Sequence, residues 1–177
     1  MDIRVRTLIG LNVVGGSAVL ASYGAGLGSV PGDALWGGVP ESIRPLYTVN
    51  MFLAAAGYFL FTPYILFRLK PETTRVAGRF GYLAFHLFYA LVLFPSALWL
   101  PLTGLMAEQP MLATWASIRI VLALVAVGTL GLLGSLISLG SSAPKGRRLA
   151  LVGLVPFGLQ TVVLDALVWP AFFPFPE

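Results

Sequence analysis

Residues 112–138 read LATWASIRIVLALVAVGTLGLLGSLIS, a run with one charge, Arg119, and no proline. A bilayer core about 30 Å thick takes about 20 apolar residues of helix to cross, and this run exceeds that. Four more runs of the same kind surround it, at roughly 7–29, 46–67, 80–102 and 149–173. Little chain remains outside them. Of the 177 residues, 58% are hydrophobic and 10% charged, with a mean hydropathy of +0.89, whereas an ordinary soluble domain is about 25% charged. The sequence therefore predicts an all-α integral membrane bundle, one five-helix transmembrane domain spanning residues 1–177. Its connections are too short to hold a soluble domain, so binding or chemistry falls to the helices and their short links.

The charges give an expected orientation. Arg4 and Arg6 precede the first run, Arg68, Lys70, Arg75 and Arg79 follow the second, and Lys145, Arg147 and Arg148 precede the fifth, so nine of the eleven basic residues share one side. Asp33, Glu41, Arg44, Glu108 and Glu177 fall on the other. The positive-inside rule then puts the N-terminus in the cytoplasm and the C-terminus outside. Such a basic side attracts anionic membrane lipid, while no basic domain is present to bind nucleic acid. Usage rich in Ala, Gly, Leu, Val and Arg points to a bacterial cytoplasmic membrane. The opening stretch, MDIRVRTLIGLNVVGGSAVLASYGAG, sets basic residues before an apolar run as a signal peptide does. The run is longer than the roughly 7–15 residues of such a region and reads as an uncleaved first span.

Cysteine is absent and histidine occurs once, which excludes disulfides, thiolate centres and a histidine-rich metal site. Small residues let helices approach closely in lipid. They line the first run (Ser17, Ala21, Gly24, Ala25, Gly28) and the fourth (Gly128, Gly131, Gly134, Ser135). These faces serve packing within the chain or a homodimer. Pro63 and Pro156 should bend the second and fifth spans; Pro95 should kink the third and Pro101 help to end it.

Polar residues within spans are costly and therefore informative. At about 1.5 Å per residue, Arg119 and Asp165 both lie roughly 10–12 Å below the outer surface, where they can pair. The pair is a clamp between spans four and five, or the charged wall of a ligand site. Asn50 belongs to the same outer set, whereas Asn12, His86 and Gln160 fall in the inner half. His86 is a packing residue or a ligand to a porphyrin, and a haem there would be five-coordinate or need a second ligand from elsewhere.

All four tryptophans, Trp36, Trp99, Trp115 and Trp169, fall on the outer side. Two readings fit. One is an aromatic belt at the headgroup level. The other is an aromatic cup capped by the loop SVPGDALWGGVPESIRP (29–45), where a flat apolar ligand stacks and Arg119 or Arg44 meets its carboxylate.

The order of these features resembles the translocator, or tryptophan-rich sensory, protein family. The likeness rests on five spans, a first outer loop with Trp36, Pro40 and Pro45, and SALWLPL (96–102) at the end of span three. There Ser96, Trp99 and Pro101 fall on the family's Asn-x-x-Trp-x-Pro pattern, with Ser for Asn. In LVPFGLQ (154–160), Phe157 and Gln160 stand where the family has Tyr and Trp. The resemblance implies a five-helix bundle, often dimeric, that binds porphyrins or sterol-like molecules for transport, sensing or porphyrin breakdown. It implies Trp99, Pro101, Phe157 and Gln160 in the pocket and Trp36 and Pro45 in its lid. With the residues read directly, the candidate ligand-binding set is Trp36, Pro45, Asn50, His86, Trp99, Pro101, Trp115, Arg119, Phe157, Gln160 and Asp165. A non-catalytic assembly subunit and a small-molecule transporter are the rival readings. No spacing of a nucleophile with a base suggests an enzyme.

Overall fold

The computed structural model describes residues 1–26, 28, 30–140, 143–173 and 175. Five of its helices are long and apolar enough to cross a membrane. They are α1 (Ile3–Gly26), α3 (Arg44–Phe67), α4 (Ala84–Glu108), α5 (Leu112–Ser138) and the continuous stretch Arg147–Ala171. That last stretch is built from α6 (Arg147–Gly158), a π-helical segment (Leu159–Val168) and one turn, α7 (Trp169–Ala171). A short helix, α2 (Gly32–Trp36), lies in the link between α1 and α3.

The spans match the sequence expectation with one correction. Helix α4 runs unbroken through Pro95 and Pro101 to Glu108, so Pro101 does not stop it. Each interior proline removes one backbone hydrogen bond at about 3 kcal/mol. Ending the helix would instead expose several unpaired carbonyls and N–H groups among apolar neighbours, which costs more.

The helices form a ring. Helix α4 packs on α1 and on α5, α5 packs on the α6–π rod, and that rod packs on α3, while α3 and α1 barely meet. Glycine sets the closest approaches. A Cβ on Gly57 of α3 would lie 2.1 Å from the Gly153 carbonyl of α6, and one on Gly131 of α5 2.3 Å from the Phe88 ring of α4. These glycines therefore serve packing inside the chain. Across the loose α1–α3 seam the Tyr58 hydroxyl donates to Asn12 Oδ1.

Contacts between links separate two ends. At the basic end, Arg4 bridges Asp2 and Glu72 and donates to the Pro71 carbonyl, the Ala77 N–H donates to Ser138 Oγ, and the Tyr64 hydroxyl donates to the Pro144 carbonyl. The link after α3 is tucked in, with Leu69, Val76 and Tyr82 buried and the Tyr82 hydroxyl on the Ile65 carbonyl. At the other end the Gly38 N–H donates to the Phe172 carbonyl and Trp169 Nε1 to the Leu35 carbonyl. The buried apolar residues divide likewise. A larger cluster around Phe61, Phe85, Tyr89 and Leu136 fills the basic half, and a smaller one around Tyr47, Ile118, Leu164 and Trp169 fills the tryptophan half.

Candidate functional site

The π-helical segment builds the polar part of the site. Its hydrogen bonds repeat over five residues, so it brings positions i and i+5 onto one face, where an α-helix would splay them. Gln160 and Asp165 are such a pair, and Gln160 Nε2 donates to Asp165 Oδ1 at 2.8 Å. From α3, Asn50 Nδ2 donates to Gln160 Oε1 at 3.1 Å and to the Pro156 carbonyl at 3.0 Å. Asn50 and Gln160 are buried, at 4% and 9% exposure. This corrects the division of polar residues into inner and outer sets. Gln160 joins Asn50 and Asp165 in one chain, because the α-helical rise assumed for span five does not hold through the π segment.

The expected Arg119–Asp165 pair is not formed. Among the described residues the salt bridges are those of Arg4 with Asp2 and Glu72. Arg119 instead lies over the Trp115 ring, 3.6 Å from its centroid, and its Nη2 donates to the carbonyls of Pro170 at 2.7 Å and Phe173 at 3.0 Å. The reason is the end of the π rod. Carbonyls freed where the rod terminates need donors, and a guanidinium on the facing helix supplies them before it reaches a carboxylate one turn deeper.

All four tryptophans share this end and turn toward one another and their aromatic neighbours. Trp99 packs against Tyr23 of α1 (6.2 Å between centroids) and edge-on to Trp169 (5.9 Å). Trp169 stacks on Phe173 at 4.3 Å and is 4% exposed, which takes it out of any headgroup belt. Trp36 sits edge-on to Tyr47 with Arg44 over its ring, and Trp115 Nε1 donates to the Phe173 carbonyl. The Tyr47 hydroxyl donates to the Leu164 carbonyl, tying α3 to the π segment. Two buried donors here have no partner among the described residues, Trp99 Nε1 and Arg119 Nη1.

The structure thus gathers Trp36, Asn50, Trp99, Trp115, Arg119, Gln160 and Asp165 at one end. Pro45 stands in the first turn of α3 at the exposed rim. Pro101 faces a different hollow, an open groove of about 490 Å³ between α1 and α4 that also touches Ser22, Val30 and Glu108. Phe157 packs between Tyr58 and Phe61 in the basic half. His86 sits at the basic end, its Nε2 2.9 Å from Thr7 Oγ1 and its buried Nδ1 without a partner among the described residues. Neither Phe157 nor His86 joins the tryptophan cluster. Residues that the sequence reading passed over are Tyr23, Tyr47 and Phe173. Tyr47 had a signal, since it lies three residues before Asn50 and so on the same helix face; Tyr23 and Phe173 had none.

Compared with known protein families, curated proteins and solved structures, the chain matches none.

Proposed function

We propose that the chain is an integral protein of a bacterial cytoplasmic membrane, basic end toward the cytoplasm. Its tryptophan end binds a flat apolar ligand of the porphyrin or sterol-like class, for transport or sensing. One observation carries the reading. Trp99 Nε1 and Arg119 Nη1 are buried N–H donors without acceptors among the described residues, set among aromatic rings. Leaving such a donor unmet costs about 1–3 kcal/mol, and native chains nearly always satisfy it. A flat ligand carrying acceptor groups meets both donors while its faces lie on the rings. The resemblance to the translocator family favours the same ligand class.

The test is a titration of the purified protein in detergent with protoporphyrin IX, followed by quenching of tryptophan fluorescence. The expected result is saturable quenching at micromolar ligand, weakened about fivefold in Trp99→Phe, which keeps an aromatic ring and removes the donor; one hydrogen bond of about 1 kcal/mol gives that factor. Unsaturable quenching, identical in the variant, rejects the reading. A second reading, assembly with a partner helix or a second copy, has its own support. Gly10, Gly16 and Gly24 of α1 have no neighbour within 4 Å of where a Cβ would stand, so part of the small-residue face is open.

A further inference from the structure

The tryptophan cup is filled by the chain itself. After α7 the backbone crosses the end of the bundle, and Phe172 and Phe173 settle into the cluster. The Phe173 ring lies nearly parallel to Trp169, at 22° and 4.3 Å, as a flat ligand would. Its carbonyl accepts from Trp115 Nε1 at 3.1 Å and from Arg119 Nη2 at 3.0 Å. The Phe172 carbonyl accepts from the Gly38 N–H at 2.7 Å. The link after α2 is shaped to this strap. A Cβ on Gly38 would lie 2.8 Å from the Phe172 carbonyl oxygen, and one on Gly37 2.7 Å from the Phe173 ring, at a backbone φ of +54° that already favours glycine.

We infer that this strap holds the ligand's place, and that the ligand is a flat aromatic carboxylate which binds by displacing Phe172 and Phe173. The inference rests on the ligand-binding reading above and adds the ligand's charge and the way in. Ring for ring, the incoming molecule takes over the Trp169 face. The charge follows from Arg119. Among the described residues, this guanidinium in the strapped state has only neutral carbonyl acceptors, and its Nη1 has none. A carboxylate gives it a charge-assisted, two-toothed partner, roughly twice as strong as a neutral hydrogen bond. The strap is thus a competitor that a carboxylate outbids and a neutral ring does not. While the strap is down, apparent affinity falls by the fraction of molecules in which it is open.

The experiment compares the full chain with a chain ending at Ala171, both in lipid nanodiscs. The probes are pyrene-1-carboxylate and neutral pyrene, read by quenching of tryptophan fluorescence. Removing the strap should tighten pyrene-1-carboxylate about tenfold, the factor that about 1.4 kcal/mol of competing contact represents. In the shortened chain Arg119→Gln should erase the preference for the carboxylate probe over pyrene. Gly38→Ala, which keeps the full length but pushes on the Phe172 carbonyl, should shift affinity in the same direction. It decides the matter if the shortened chain does not fold, as judged by circular dichroism. Binding by the full chain that is equal or weaker in the strap variants makes Phe173 a wall of the site and overturns the inference. Absence of saturable binding of protoporphyrin IX and both probes by every variant overturns the reading beneath it as well.

Discussion

Gly57→Ala tests whether the α3–α6 contact holds the polar site together. The added Cβ would lie 2.1 Å from the Gly153 carbonyl oxygen and 3.0 Å from its carbon, both backbone atoms that no side-chain rotation can move away. Ordinary contact needs well over 1 Å more, so the two helices must part. Overpacking of this kind costs about 1–3 kcal/mol, and rigid backbone on both sides puts this case near the top. The lever reaches the site, since Asn50 and Gln160 each lie seven residues along their helices from Gly57 and Gly153, on the same side of the contact. Parting the helices stretches their 3.1 Å hydrogen bond, for about 1 kcal/mol more. The expected loss is about 4 kcal/mol in all, or a fall of roughly 8–16 °C in Tm at ~2–4 °C per kcal/mol. Circular-dichroism melts in detergent measure it, with Gly16→Ala as control, because Gly16 has open space where the Cβ would go. A Gly57→Ala protein that melts with the Gly16→Ala protein refutes the close-contact reasoning.

Further expectations follow from the corrected charges and from the basic end. Because Arg119 and Asp165 hold different partners, the double exchange Arg119→Asp with Asp165→Arg should not recover stability lost in the single variants. Recovery of more than about 1 kcal/mol in a double-mutant cycle would restore the pair. Asp2 caps α1 through the Arg4 N–H and binds the Arg4 side chain, contacts that hold its carboxyl below the usual carboxylate range. A depressed carboxyl stabilises the fold above its unfolded value, about 3.9, and that contribution is lost as pH falls through the folded value. Melts between pH 6 and pH 2 should therefore lose less stability in Asp2→Asn than in the parent; equal losses count against the clamp. Ala77 sits at φ 49° beside Gly78 at φ 72°. Since a side chain in that region costs about 1–2 kcal/mol, Ala77→Gly should raise Tm by a few degrees, and a lower Tm would show that the turn is not strained.

The five spans were readable because lipid-length apolar runs have one structural solution, and the gathering of basic residues at one end followed from where Arg68 to Arg79 and Lys145 to Arg148 lie in the order. The four tryptophans were placed at a common end by the same count. What the sequence hid were departures from regular α-helix. Counting at α-helical spacing put Gln160 and Asp165 at different depths, and the five-residue repeat of the π segment joins them. Pro101 read as a stop because local propensity ignores the lack of water to receive freed backbone groups. Arg119 looked like a partner for Asp165 because depth is legible and competition from the carbonyls of Pro170 and Phe173 is not.

The ring order also bears on how the chain is made. Synthesis delivers α1 and then α3, two helices that scarcely meet, and the partner of each comes later: α4 for α1, and the α6–π rod for α3. The first tight pair of consecutive spans is α4 with α5. Until α4 emerges, α1 and α3 stand side by side, tied by little more than Tyr58 and Asn12. Half of the polar chain, Asn50, waits in α3 until Gln160 emerges, so the site forms only after α4 and α5 have been made.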